Sequence, residues 1–279
     1  MRHHSGYMLY VISPAKSLDY ETAVDPDILE RATTPQFSAR SFELIDVLRR
    51  KSPAEIAHLM DLSDKLAQLN VDRYASWSRR ATPRNSKPAV LAFDGDVYDG
   101  LQAKTLKPAE LDWAQEHLAI LSGLYGVLRP LDRLQPYRLE MGTALVNDRG
   151  PNLYAYWGTT VAEHLNKLQA KAQSKEPVLV NLASQEYFRV VHRSTLKARV
   201  IDCVFEDWKG GRYKVISFFA KRARGLMARY AIERRIVSPD GLEGFDVDGY
   251  AYDAQASQPE RLVFRRRVDD DPRSAGKPQ

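Results

Sequence analysis

Leu9-Tyr10-Val11-Ile12 is a short apolar run stopped by Ser13-Pro14, and runs of the same kind recur at 89–93 and Val178–Leu182. Each is too short for a free-standing helix and is bounded by turn or breaker residues, which reads as a buried strand. Helical patterns fill the intervals. Ser52-Pro53-Ala54-Glu55 is a capping box with proline at the first helical position, and Ile56, Leu59 and Met60 follow at helical spacing. Ser63 caps a further helix whose Leu66, Leu69, Tyr74 and Trp77 are expected to face inward. Pro108 opens another with Leu111, Ala114, Leu118 and Leu121 on one face, and 153–170 reads as one helix with Trp157, Val161, Leu165 and Leu168 inside. The polar stretch 79–88, with two prolines, is expected to be a loop. Segments 199–207 and 213–219 alternate at period two around Lys209-Gly210-Gly211-Arg212, a hairpin signal, and 262–265 is a last strand. Interleaved strands and helices predict a single α/β domain with a mixed sheet and surrounding helices. The reading divides the chain into a non-structural leader at 1–7, with Met8 as natural start, a domain at 8–268 and a disordered tail at 269–279.

Composition narrows the class. No segment approaches the roughly 20 apolar residues of a membrane-spanning helix, and the first residues lack the apolar stretch of a secretory signal. The single cysteine, Cys203, rules out an intrachain disulfide and a multi-cysteine zinc site, which fits a reducing cytosol. His58, His117, His164 and His192 are scattered without metal-ligand spacing, so neither metal nor cofactor is expected. Charge is the more informative property. Lys221, Arg222, Arg224, Arg229, Arg234 and Arg235 are opposed within 220–235 only by Glu233, so this segment alone matches the net +5 of the whole chain. As a helix it would bury Phe219, Ala223, Leu226, Met227 and Tyr230 along one stripe and display arginines elsewhere. Arginine suits phosphate because its planar fork donates two parallel hydrogen bonds. A solvated helix face is the alternative reading.

Other motifs bear on chemistry. Ser13-Pro14-Ala15-Lys16-Ser17 follows the first strand, where α/β proteins commonly place ligands, and Lys16 is a candidate for phosphate. The glycines of a phosphate-binding nucleotide loop are absent. Asp94-Gly95-Asp96 follows the run at 89–93; its carboxylates suit a divalent ion or acid/base work, or form a structural turn. Leu121-Ser122-Gly123-Leu124-Tyr125-Gly126-Val127 follows a helix and resembles the hairpin of a helix-hairpin-helix element, in which Gly123 and Gly126 would expose amides to phosphate. A plain turn is the other reading. Arg138 and Glu140, two apart, form either an ion pair or an arginine poised for phosphate. No nucleophile motif is present.

Several of these stretches together resemble the YaaA family of bacterial peroxide-stress proteins. The likeness rests on Ile12-Ser13-Pro14-Ala15-Lys16-Ser17-Leu18-Asp19, on Ser63-Asp64-Lys65-Leu66-Ala67, and on Gly95-Asp96-Val97-Tyr98 with Gly100-Leu101. It continues in Leu121-Ser122-Gly123-Leu124-Tyr125-Gly126-Val127-Leu128-Arg129-Pro130-Leu131-Asp132 and Pro136-Tyr137-Arg138-Leu139-Glu140-Met141. Asn181-Leu182-Ala183-Ser184, Glu186-Tyr187-Phe188 and Ala220-Lys221-Arg222-Ala223-Arg224-Gly225-Leu226-Met227 complete it. The resemblance implies a single-domain α/β fold with a positively charged cleft and a helix-hairpin-helix element. It implies a protein that binds duplex or branched DNA with little sequence preference and limits iron-dependent oxidative damage; a cytoplasmic location is expected, and a monomer is favoured with the oligomeric state left open. Carried over by motif, Lys16, Arg138, Lys221, Arg222 and Arg224 are the cleft candidates, joined by Gly123, Gly126 and Arg229 from the local readings. Asp94 stands where the family pattern is free, which leaves Asp96 as the better carboxylate.

An enzyme using the same cleft, a lyase or hydrolase on a nucleotide or flipped base, is the alternative. Lys16 would then be nucleophile or electrostatic stabiliser, with Asp96 or Glu140 as acid/base. Direct iron storage is disfavoured by the single cysteine and the absence of a Glu-x-x-His pair.

Overall fold

The computed structural model describes residues 6–267. The central sheet contains, in chain order, β1 (Met8–Ile12), β2 (Leu118–Ser122), β3 (Gly126–Leu128), β4 (Val178–Leu182), β5 (Arg199–Lys209), β6 (Arg212–Lys214), β7 (Ala251–Tyr252) and β8 (Arg261–Arg266). The spatial order is β7-β8-β5-β4-β1-β2-β3, with β6 paired to β5. β2, β1, β4, β5 and β8 are mutually parallel, and β3, β6 and β7 are antiparallel additions. One sheet thus runs through the described chain, and the mixed α/β, single-domain expectation holds.

β1 is an interior strand between β4 and β2, with Met8 opposite Val178 and Tyr10 opposite Leu118. All five of its residues are buried. Since successive side chains point to opposite faces, both faces of the sheet are covered here, which explains an unbroken apolar run. Tyr10 marks one face: its ring lies 6.3 Å from Trp113, and its hydroxyl donates to the Ile236 carbonyl at 2.8 Å.

The helices that matter for the site are α1 (Ser38–Arg49), α2 (Pro53–Met60), α3 (Asp64–Ser76), α4 (Asp96–Leu101), α5 (Pro108–His117), α6 (Thr160–Lys171) and α7 (Ser217–Arg234). Ser52 and Glu55 form the reciprocal capping box, and Ser63 caps α3 through the Leu66 amide. α7 packs on the sheet and crosses α4 at backbone contact. A Cβ on Gly225 would stand 1.7 Å from the Val97 carbonyl oxygen, and one on Gly100 would stand 2.1 Å from that of Arg222. Only glycine fits at either position.

Several local expectations change. The run at 89–93 is mostly a buried helical turn, Ala89–Ala92, whose first amides donate to Asp132 and Pro130. Periodicity cannot separate a strand from a single helical turn when every residue is buried. α5 ends at His117, so Leu118 and Leu121 belong to β2. The helix expected over 153–170 is two, Leu153–Trp157 and α6, broken at Gly158 with φ of 50°. Leu66 and Leu69 of α3 are exposed rather than inward. The second arm of the 199–219 hairpin shrinks to β6, because α7 begins at Ser217.

The helix-hairpin-helix expectation is corrected. Strands flank Gly123 and Gly126 on both sides, β2 and β3 being an antiparallel pair with Ser122 opposite Gly126. Both glycines are buried. A Cβ on Gly123 would meet the Leu139 carbonyl oxygen at 2.3 Å, and Gly126, at φ 71°, lies against the Trp157 ring. Trp157 Nε1 donates to the Gly123 carbonyl at 2.9 Å. Packing accounts for this turn. Of the expected leader, Gly6 and Tyr7 are described, and the Tyr7 hydroxyl donates to the Glu116 carbonyl at 2.7 Å. Residues 1–5 and the expected tail lie outside the described residues.

Candidate functional site

β1 and β4 end side by side, and two serines join the loops that leave them. The Ser184 amide donates to Ser13 Oγ at 2.9 Å, and Tyr98 donates to the Ser13 carbonyl at 3.0 Å. Pro14 has no amide with which to extend the ladder, so the chain turns away after Ser13. It is caught again where Ser17–Leu18 pairs antiparallel with Phe93–Asp94. That pairing brings Asp94-Gly95-Asp96 beside Lys16. On the other side, Ser184 caps the short helix Gln185–Phe188 and sets Glu186 in its first turn. The α4–α7 crossing delivers Lys221.

The result is a cavity of about 490 Å³ lined by Lys16, Asp94, Asp96, Glu140, Glu186 and Lys221, with Ser13, Ser184 and Tyr187 among its polar walls. It lies beyond the carboxyl ends of parallel strands, beside the strand from which the chain builds the sheet in both directions, the usual ligand position in open α/β sheets.

Its electrostatics are mixed. Lys16 Nζ lies 2.8 Å from Glu140 Oε1, the lysine exposed and the glutamate half-buried. Burial, and then the charge of Glu140, push the Glu186 carboxyl above the ordinary glutamate range; Lys16, the Gly142 amide and Lys221 oppose the rise. Burial raises the Tyr98 and Tyr187 phenols well above their ordinary value, which keeps them neutral donors. Four carboxylates therefore face two lysines. Such a set can exchange a proton through Glu186 and hold an anion or a polarised oxygen at lysine. Among the described residues no cluster of three His, Cys, Asp or Glu is placed to hold a metal ion.

Of the residues singled out by sequence, Lys16, Asp96, Glu140 and Lys221 meet in this cavity. The basic helix departs from expectation. α7 buries Ala220, Ala223, Gly225, Met227, Ala228, Tyr230, Ala231 and Ile232, so it is enclosed on more than one stripe and displays few arginines. Arg222 pairs with Asp248 at 2.8 Å. Arg229 binds Glu233 at 2.7 Å and reaches the Leu101 and Gln102 carbonyls at 3.1 and 2.8 Å, closing the carboxyl end of α4. Arg224 is half-buried, makes no hydrogen bond or ion pair among the described residues, and has its pKa lowered by burial.

Arg138 does not pair with Glu140. Its Nε is buried without a hydrogen-bond partner, and no carboxylate bonds to it among the described residues. Instead it stands near Arg73, whose pKa is lowered by burial and by the charge of Arg138. Tyr74 fixes that neighbourhood by donating to the Arg138 carbonyl. Sequence reasoning missed Glu186 and Arg73 as site residues. Glu186 follows a strand end in the same way as Lys16, and applying the strand-end rule at Ser184 would have found it. Arg73 sits on an ordinary amphipathic helix and carries no such signal.

Residues 8–256 match the family described as peroxide stress protein YaaA. A UPF0246 protein of Paracidovorax citrulli is 63% identical over 260 residues, covering 93% of this chain and 99% of the relative. One from Leptothrix cholodnii is 63% identical over 263 residues, covering 94% and 100%. One from Bordetella pertussis is 61% identical over 260 residues, covering 93% and 99%. With the family matched along most of its length, and near-complete relatives above 60% identity, this chain belongs to the YaaA family of peroxide stress proteins.

Proposed function

We propose that this chain serves the peroxide response as a cytoplasmic, monomeric DNA-binding protein. It grips the backbone of duplex or branched DNA with little sequence preference and thereby limits iron-dependent damage. The observation that carries the reading is Arg138, half-buried with a buried Nε that has no hydrogen-bond partner, while its charge is felt at the half-buried Arg73. Like charges held together are unfavourable until an anion joins them, and a phosphate accepts from both guanidinium forks. Lys16 and Lys221, on the neighbouring cavity, add further cations for the backbone. Phosphate pairing of this kind sets affinity and register without reading bases. Fluorescence anisotropy across a salt series tests it, comparing wild type with Arg73→Ala/Arg138→Ala and Lys16→Ala/Lys221→Ala. Every phosphate that a variant no longer neutralises should flatten the log–log salt slope by about 0.9. Absence of wild-type binding at low salt ends this reading.

A second reading is favoured by the cavity's carboxylates, which a backbone clamp does not require. In it, the cavity takes a nucleotide or flipped base, Glu186 or Glu140 moves the proton, and Lys16 stabilises developing negative charge. Incubation with modified oligonucleotides and nucleosides should then give a product that Glu186→Gln and Lys16→Ala abolish. No product from any of them counts against it.

A further inference from the structure

The loop 79–88 and the strand Arg133–Leu134 build a separate cavity of about 410 Å³ that shares no lining residue with the strand-end site. Arg79, Arg80 and Arg133 line it, with Thr34, Ser38 and Thr82, and its lining contains no carboxylate. We propose that this cavity binds a phosphomonoester dianion.

The arginines have no competing assignment. Arg80 and Arg133 side chains make no hydrogen bond or ion pair among the described residues, and Arg79 lies over the Phe42 ring at 3.8 Å. Arg49, close by on α1, shows what a structural arginine does here: it donates to the Tyr74, Ala75 and Trp77 carbonyls. The nearest acid in sequence, Asp132, is buried and already held by Thr33 and Arg129.

The loop is fixed before any ligand arrives. The Ser78 amide donates to Gln135 Oε1 at 2.9 Å and Gln135 Nε2 returns to the Ser78 carbonyl at 2.7 Å. Asn85 Nδ2 donates to the Arg80 carbonyl at 3.0 Å, and the Thr82 amide to Asn85 Oδ1 at 2.7 Å. Preorganisation of this kind reduces the ordering cost of binding.

Three guanidinium forks match the three non-bridging oxygens of a monoester, whereas a diester in a DNA backbone offers two. On the floor, Trp77 Nε1 already donates to the Tyr125 hydroxyl at 3.1 Å, which leaves that wall satisfied and suited to a sugar or base. The volume fits a group the size of a mononucleotide. A free nucleotide and a 5′-phosphorylated DNA end present this same chemistry.

Isothermal titration calorimetry on the full chain tests the assignment with inorganic phosphate, AMP, adenosine, and an oligonucleotide with and without a 5′-phosphate. Phosphate and AMP should bind where adenosine does not. Arg80→Ala/Arg133→Ala should weaken AMP at least tenfold with an unchanged Tm. A 5′-phosphate-dependent gain in oligonucleotide affinity that this double variant abolishes would identify a DNA end as the source. AMP affinity without such a gain identifies a free nucleotide. The proposal is overturned if neither phosphate nor AMP binds, or if the double variant binds AMP as wild type does. Because neither Arg73 nor Arg138 lines this cavity, loss of general DNA binding in the Arg73→Ala/Arg138→Ala protein would not affect this result.

Discussion

Glu140 holds the Lys16 ammonium at 2.8 Å, and Arg138, two residues earlier, is thereby left without a carboxylate. An arginine and a glutamate at that spacing suggest a local ion pair, yet the pairing partner comes from the far end of the chain. The two arginine classes in this protein should therefore respond differently to truncation. Arg138→Ala should weaken DNA binding and flatten the salt slope by about 0.9 with little change in Tm. Arg229→Ala should lower stability by about 2 kcal/mol, because carbonyls at the end of α4 are deprived of a charged donor, while the salt slope stays as in wild type. Anisotropy and thermal melts on the same samples separate them, and a slope change for Arg229→Ala alone would reverse the assignment.

Glu186 gives a pH signature. Its carboxyl is raised in the folded protein, so the folded state holds the proton more tightly than the unfolded chain does. Stability then falls as pH rises from the ordinary glutamate range through the raised value. Glu186→Gln removes that loss and should raise Tm by about 1 °C at pH 7.5, a small gain because the side chain is only partly withdrawn from solvent, which screens it. At pH 4 the carboxyl is largely protonated in both states and the gain should vanish. An equal gain at both pH values would trace the effect to packing.

Asp19 shows the opposite sign. It anchors the loop after β1 to Lys104 at 2.7 Å, and Lys87, nearly buried, donates to the Asp19 and Thr22 carbonyls at 2.9 and 3.0 Å. The hydrogen bond from Lys104, with that of Thr22, holds its carboxyl far below the usual range. That stabilisation is complete above the ordinary aspartate value and is lost as pH falls through the depressed one. Asp19→Asn should cost about 2 kcal/mol at pH 7, and its melting curve should converge on that of wild type below about pH 4. Parallel curves down to pH 2 would contradict the pairing.

The glycine crossing predicts a large effect from one methyl group. Gly225→Ala must separate α4 from α7, since its Cβ would lie 1.7 Å from the Val97 carbonyl. A destabilisation of about 3 kcal/mol or more is expected in chemical denaturation. Gly210→Ala, where nothing lies within 4 Å of the new Cβ but φ is 64°, should cost about 1 kcal/mol. Similar costs at both positions would refute the close approach of the two helices.

Cys203 is buried, and burial, with the nearby Asp202, pushes its thiol well above the ordinary range. A thiol in that state presents almost no thiolate at neutral pH. The native protein should resist sulfenic acid trapping under millimolar peroxide and label with thiol reagents only after unfolding. Rapid native labelling would bring a redox role back.

Legibility in the sequence followed physical locality. β4 coincides with its apolar run, and the caps at Ser52 and Ser63 were readable because they depend on neighbours in the chain. Lys16 and Asp96 were found by their places after apolar runs, even though the run before Asp96 is helical. What escaped was set by the packing of distant segments. Arg222 and Arg229 of α7 became structural because Asp248 and α4 lie against them. The Gly123–Gly126 turn became a buried β-hairpin because Leu139 and Trp157 close over it. The 79–88 loop carries cations whose convergence with Arg133 depends on the tie from Gln135 to Ser78.

The position of β1 between two later strands has a temporal consequence. It leaves the ribosome well before its neighbours β2 and β4, and Lys221 follows later still. Until then the nascent chain carries an apolar strand with open edges, the kind of segment that chaperones bind and that aggregates when synthesis stalls. Ser13 and Lys16 are thus synthesised before Asp96 and Glu140 and long before Ser184, Glu186 and Lys221. A truncated product would carry the opening motif without a cavity to place it in.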